Sequence, residues 1–138
     1  KKIYLARFSE TLSTLSSAGI AISQSLEITA DVVGNSVYRR IILEANEAVR
    51  KGSNISSVFA RYTEILPMVT QMISIGEQTG KLDSILKQIS AFFTEEVNRA
   101  FDNIVTLIEP ILIVVLGVGV GILVAAILLP IYNLVNAF

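Results

Sequence analysis

The chain has 138 residues, 52% of them apolar, a net charge of −1, and neither histidine nor cysteine. Without those two side chains it has no imidazole base, no thiol nucleophile, no disulfide framework and no His- or Cys-based metal site. Its eleven basic and twelve acidic residues are interspersed, which excludes the basic face that nucleic-acid binding requires. All 23 charges lie at or before Glu109, and 22 of the last 29 residues are apolar. Composition therefore divides one domain-sized chain into a water-soluble part and a lipid-soluble part. Lys1-Lys2 opens the chain with no initiator Met and no signal-peptide pattern, so a longer parent polypeptide is expected.

Helical periodicity runs throughout, with no strand-like alternation and no internal repeat. Phe8, Leu12 and Leu15 space a first helix ending near Ala18-Gly19. A second carries Ser25, Leu26, Thr29, Ala30 and Val33 and stops at Gly34-Asn35. A third, from about Ser36 to Lys51, turns Val37, Ile41, Ala45, Ala48 and Val49 inward and ends at Gly52. Asn54 or Ser56 can cap a short fourth helix through Val58, Phe59 and Tyr62. Pro67 suits the first turn of a fifth, which carries Met68, Met72, Ile73 and Ile75 and is broken by Gly76-Glu77-Gln78-Thr79-Gly80. A sixth stripe runs from Leu82 and Ile85 through Phe93, Phe101 and Ile108 without a stop signal.

That last helix continues into Ile111–Leu129, nineteen residues drawn only from Ile, Leu, Val, Ala and Gly and bounded by Pro110 and Pro130. Its length of roughly 28 Å matches a hydrocarbon core of about 30 Å. All Lys and Arg precede the span, so the positive-inside rule places the bulk of the chain in the cytoplasm and the C-terminus outside. Gly117 and Gly121, extended by Ala125, form a small-residue stripe suited to packing against another membrane helix. Glu109 stands at the membrane entrance beside Pro110, either as a carboxylate among headgroups or facing a cation on a neighbouring helix.

The fold class expected is all-α: an up-and-down six-helix cytoplasmic bundle whose last helix continues into a single transmembrane helix. The organisation expected is 1–109 bundle, 110–130 span and 131–138 tail. Helix parity then brings three turns to one end, furthest from the bilayer: those around Gly19, at Arg50 to Asn54, and at Gly76 to Lys81. Arg50, Lys51, Lys81, Glu77 and Asp83 make that tip a mixed-charge surface suited to a partner that exchanges quickly. Gly80 is expected in the left-handed C-cap conformation. Glu77, badly placed for its own helix dipole, is expected to pair with Lys81 or Arg50.

No catalytic constellation emerges. Glu44/Glu47 and Glu95/Glu96 read as solvated helix faces, and Gly76-x-x-x-Gly80-Lys81 lacks the spacing and preceding strand of a phosphate loop. The reading is of a protein without cofactor, metal or enzymatic activity.

Several segments, in order, carry a resemblance. They are Leu15-Ser16-Ser17-Ala18-Gly19-Ile20-Ala21-Ile22-Ser23-Gln24-Ser25-Leu26, Gly52-x-x-Ile55-Ser56 and Gly76-Glu77-Gln78-Thr79-Gly80-Lys81-Leu82. Glu109-Pro110 and Pro130-Ile131-Tyr132 complete the set. The chain resembles the inner-membrane platform proteins of type II secretion and type IV pilus machines (the GspF/PilC family), and within them the second of two homologous repeats. The resemblance implies a six-helix cytoplasmic domain, a final membrane helix and a short extracytoplasmic tail. It also implies contact with a hexameric assembly ATPase, with pilin or pseudopilin subunits and with other inner-membrane assembly components, in a homo-oligomer within the lipid bilayer. A C-terminally anchored adaptor or receptor for an unrelated soluble protein is the alternative.

Overall fold

The computed structural model describes residues 1–138 as six helices and no strand. They are α1 (Lys2–Ser17), α2 (Ile22–Val32), α3 (Ser36–Arg50), α4 (Ile55–Phe59), α5 (Pro67–Thr79) and α6 (Leu82–Asn136). The chain resolves into two compact units, Lys1–Asn98 and Arg99–Phe138.

The first unit is a packed bundle. Each helix contributes apolar residues three and four apart: Leu5, Phe8 and Leu12 from α1, Leu26 and Ala30 from α2, and Tyr38, Ile41, Ile42 and Ala45 from α3. Val69 and Ile73 of α5 and Leu86, Ile89 and Phe93 of α6 close the core. Phe59, from the single turn of α4, meets Phe8 edge to face at 5.3 Å, so even the shortest helix is anchored by a large buried ring. Burial of that kind stabilises by about 1.5–3 kcal/mol per large apolar side chain.

Local chemistry fixes the helix ends. Asn35 caps α3, its side-chain oxygen accepting from the Val37 and Tyr38 amides at 2.9 and 3.2 Å. Pro67 begins α5, where its missing amide donor leaves no bond unmade. α1, α3 and α5 all end in the same closure. The amides of Ile20, Ser53 and Lys81 reach back to the carbonyls of Leu15, Ala48 and Gly76 at 3.2, 2.8 and 3.0 Å. A glycine precedes each of those amides, and Gly80 adopts the expected left-handed conformation with φ 69° and ψ 19°.

Two helices end elsewhere than their sequences suggest. Gly76 to Thr79 does not break α5, which runs through to Thr79; Gly76 is instead a buried position inside the helix. Its missing side chain lets the α5 backbone approach α6, because a Cβ there would stand 3.0 Å from the Leu82 Cα and 3.2 Å from the Ile85 Cβ. The fourth helix also stops at Phe59 rather than reaching Tyr62.

The second unit, Arg99–Phe138, belongs to α6 almost entirely. The helix is continuous through Pro110 and Pro130 to Asn136, and no residue of this unit is buried. The helix is long and apolar enough to cross a membrane, with a mean hydropathy of 3.1 in its most apolar window, none of which is buried. The core helix of a soluble protein would be covered by its neighbours over such a stretch.

Candidate functional site

Three turns meet at one end of the bundle. A shallow groove there is bordered by Ser16 and Ile22 around the α1–α2 turn, Val49 and Asn54 around the α3–α4 turn, and Gly76, Glu77 and Leu82 around the α5–α6 turn. The gathering of these turns, inferred from helix parity alone, is what the bundle displays.

Glu77 ties two of them together. Its carboxylate accepts from the Ile55 amide at 2.6 Å, from the Ser56 amide at 3.3 Å and from the Ser56 hydroxyl at 2.6 Å. Asn54 holds the cap position of α4 but makes no side-chain cap bond, so Glu77 supplies the cap from α5. A carboxylate suits that place because the first amides of a helix are unpaired and carry the positive end of its dipole. The expected pairing of Glu77 with Lys81 or Arg50 is thereby overturned: a half-buried carboxylate beside two free amides satisfies itself on backbone donors. The signature Gly76 to Leu82 acquires a part-by-part reason. Gly76 permits the close approach, Glu77 caps the neighbouring helix, Gly80 turns the chain, and Leu82 packs against the core.

The charged residues around this end divide into committed and free. Arg50 donates from Nε to Ser23 at 3.0 Å and lies 3.7 Å from Glu27 and 4.0 Å from Glu47. Ser23 in turn donates to buried Asn46 at 2.7 Å, so Arg50 closes a polar network between α2 and α3. Lys51 and Lys81 are exposed and form no ion pair. Asp83 is exposed in the first turn of α6, where its charge suits the helix dipole, and its carbonyl accepts from Ser13 at 3.4 Å. Gly19 lies at the surface of the first turn with open space around it.

Elsewhere in the bundle, Glu44 gathers Arg61 at 2.7 Å and the Tyr62 hydroxyl, which donates to it. That hydrogen bond, with burial and the Glu44 charge adding to it, holds the Tyr62 hydroxyl above its ordinary pKa. Tyr38 is raised too, chiefly by burial and then by the Glu64 and Tyr4 charges, and donates to the Glu64 carbonyl at 3.0 Å. Lys2 pairs with Glu96 at the surface.

The remaining predicted positions fall in the second unit. Glu109 and Pro110 lie within α6 and are exposed. Gly117, Gly121 and Ala125 are exposed on the same helix, and a Cβ at either glycine would meet nothing within 4 Å.

A glycine-capped helical bundle bearing this signature, on a chain whose last helix is long and apolar enough to cross a bilayer, defines the class: an all-α protein with one candidate membrane-crossing helix. The family described as type II secretion system (T2SS), protein F matches residues 8–130, and the chain belongs to it. It is 38% identical over 99% of its length to the type IV pilus assembly protein PilC of Thermus thermophilus. It is 41% identical over 96% to the type IV pilus assembly protein TapC of Aeromonas hydrophila, and 32% identical over 94% to the type II secretion system protein F of Pseudomonas aeruginosa. It spans about a third of each relative, 34%, 32% and 32% respectively.

Proposed function

We propose that this chain is the C-terminal repeat and last membrane helix of a non-enzymatic inner-membrane platform protein, in a machine that assembles type IV pili or secretes by the type II route. The observation that carries this reading is the family match over residues 8–130, which takes in the Gly76–Leu82 signature and most of the apolar helix. In this reading residues 1–109 are cytoplasmic, residues 110–130 cross the inner membrane, and the tail 131–138 emerges outside. The confinement of every Lys and Arg to one side of the span supports that orientation. The bundle couples a hexameric assembly ATPase to the movement of pilin or pseudopilin subunits, alongside other inner-membrane components of the machine.

The contact for the ATPase is assigned to the end where the three turns meet. Lys51, Lys81 and Asp83 support this, being exposed charges on rigid helix ends. Arg50 belongs to the scaffold instead, since it is engaged by Ser23, Glu27 and Glu47. Within the membrane, the Gly117/Gly121/Ala125 stripe packs against another helix of the assembly, where side-chain bulk decides the fit.

Lys51→Glu combined with Lys81→Glu tests the proposal, in the full-length protein of a strain lacking its own copy. The variant is expected to remain folded and membrane-bound while losing filament assembly or secretion and co-purification of the ATPase. Normal assembly with the ATPase still bound would remove this end of the bundle from the interface.

A further inference from the structure

α6 carries two prolines in its interior, and they stand in different solvents. A proline lacks the amide that would bond the carbonyl four residues earlier, and its ring presses on that carbonyl. The carbonyls deprived in this way are those of Thr106 and Ala126. Ala126 lies inside the apolar run Ile111–Leu129, where no water can reach a carbonyl that bending uncovers. Thr106 lies five residues before that run, about 7 Å to its aqueous side, where water solvates the freed carbonyl and favours a bent helix.

A second weakness coincides with the first. The Thr106 hydroxyl donates to the Asp102 carbonyl at 2.8 Å, competing for it with the backbone amide, a bond that bends helices. Glu109 adds a third, because a residue preceding proline is disfavoured in the helical conformation. No residue from 99 to 109 is buried, so nothing within this unit splints the segment.

We propose that Thr106 to Pro110 is a hinge at which α6 bends during the work of the machine, while the helix around Pro130 stays straight. Movement of the cytoplasmic part of the helix is then absorbed at the bilayer surface, and the span keeps its own tilt. Hinges need only a few residues that take up the backbone change, and the missing amide and the threonine hydroxyl supply them within five positions. The inference rests on the platform reading and on the span, and adds a moving part to them.

The test uses the full-length protein, freed of other cysteines, in lipid bilayers. Spin labels on Asn98→Cys and Val118→Cys flank the hinge, and labels on Val118→Cys and Asn133→Cys flank Pro130. Labelled copies are diluted with unlabelled ones, and double electron–electron resonance reads the distances, about 30 Å and about 22 Å along a straight helix. Pro110→Ala should at least halve the width of the first distribution, whereas Pro130→Ala should leave the second unchanged. A first distribution that Pro110→Ala does not narrow, or an equal narrowing at Pro130→Ala, would overturn the hinge. In a strain lacking its own copy, Pro110→Ala should insert normally but lower filament assembly or secretion several-fold; undiminished assembly would overturn the hinge as a working part. Two controls separate the failures. Relaxation of the Val118 label by a water-soluble nickel complex rather than by oxygen would overturn the span, and intact assembly and secretion after deletion of the whole gene would overturn the platform reading.

Discussion

Lys1–Asn98 and Arg99–Phe138 are both helical, and both place apolar residues three and four apart. In the first unit twenty such residues close into a single core; in the second not one is buried. The difference lies in the polar residues between them. In the bundle they are frequent enough to cover the outside. In α6 after Glu109 they are reduced to Asn133 and Asn136 besides glycine, proline and a lone tyrosine, and the helix runs on to Asn136. Periodicity therefore identifies a helix in either unit, whereas the polar residues identify its solvent.

The sharpest way to break this comparison is to remove bulk from each unit in turn. Phe59→Ala deletes a fully buried ring and its edge contact with Phe8, and should destabilise the bundle by about 3–5 kcal/mol. Leu116→Ala, on the exposed stretch of α6, should change folding stability by no more than about 0.5 kcal/mol. Denaturant unfolding of the chain in mild detergent, followed by circular dichroism, measures both. Comparable losses would mean that the second unit has a core of its own.

Next in size is the Glu77 cap. Glu77→Ala should cost about 1.5–3 kcal/mol, because it strips two amides and a hydroxyl of a charged acceptor. Lys81→Ala, by contrast, should stay within about 0.5 kcal/mol. Equal effects in the same unfolding assay would restore the ion-pair account that the sequence suggested.

That cap marks the limit of what could be read from the residues in order. The six helices, the proline opening α5, the left-handed Gly80 and the continuity of α6 were all legible, because each follows from spacing or from one residue's backbone preference. The meeting of three turns was legible from helix parity. The partner of Glu77 was not, since Ile55 and Ser56 lie 22 and 21 residues away and belong to a helix too short for a periodic signal. Gly76 misled for a related reason. A glycine that breaks a helix and a glycine that admits a neighbouring one look alike until the neighbour is in place. The partners of Arg50 were not legible either, because Ser23 and Glu27 face it only in the folded bundle.

The two glycines of the signature should then separate by mechanism. Gly76→Ala forces α5 from α6 and should cost about 1–3 kcal/mol, whereas Gly80→Ala pays only for the left-handed backbone, about 1 kcal/mol. If Gly76→Ala proved neutral in the unfolding assay, close approach would not explain that position.

The smallest effect is on alkaline stability. Tyr62 and Tyr38 are held above the ordinary tyrosine pKa, so the folded state favours their neutral forms. Their contribution is fully present below the unfolded value of about 10 and is lost as pH rises through the raised folded values. Tyr62→Phe should flatten part of that alkaline decline and lower stability modestly at neutral pH, where the hydrogen bond to Glu44 is fully present. An unchanged alkaline profile would exclude Tyr62 from it.

The central claim is that a water-soluble bundle and a membrane-crossing helix share one chain. Because the chain has no cysteine, single cysteines can be placed at Ser53, Val118 and Asn136 and probed in spheroplasts with a membrane-impermeant maleimide. Asn136→Cys should label in intact spheroplasts, Ser53→Cys only after lysis, and Val118→Cys in neither. Labelling of Val118→Cys as fast as Asn136→Cys, or of Ser53→Cys before lysis, would contradict the account.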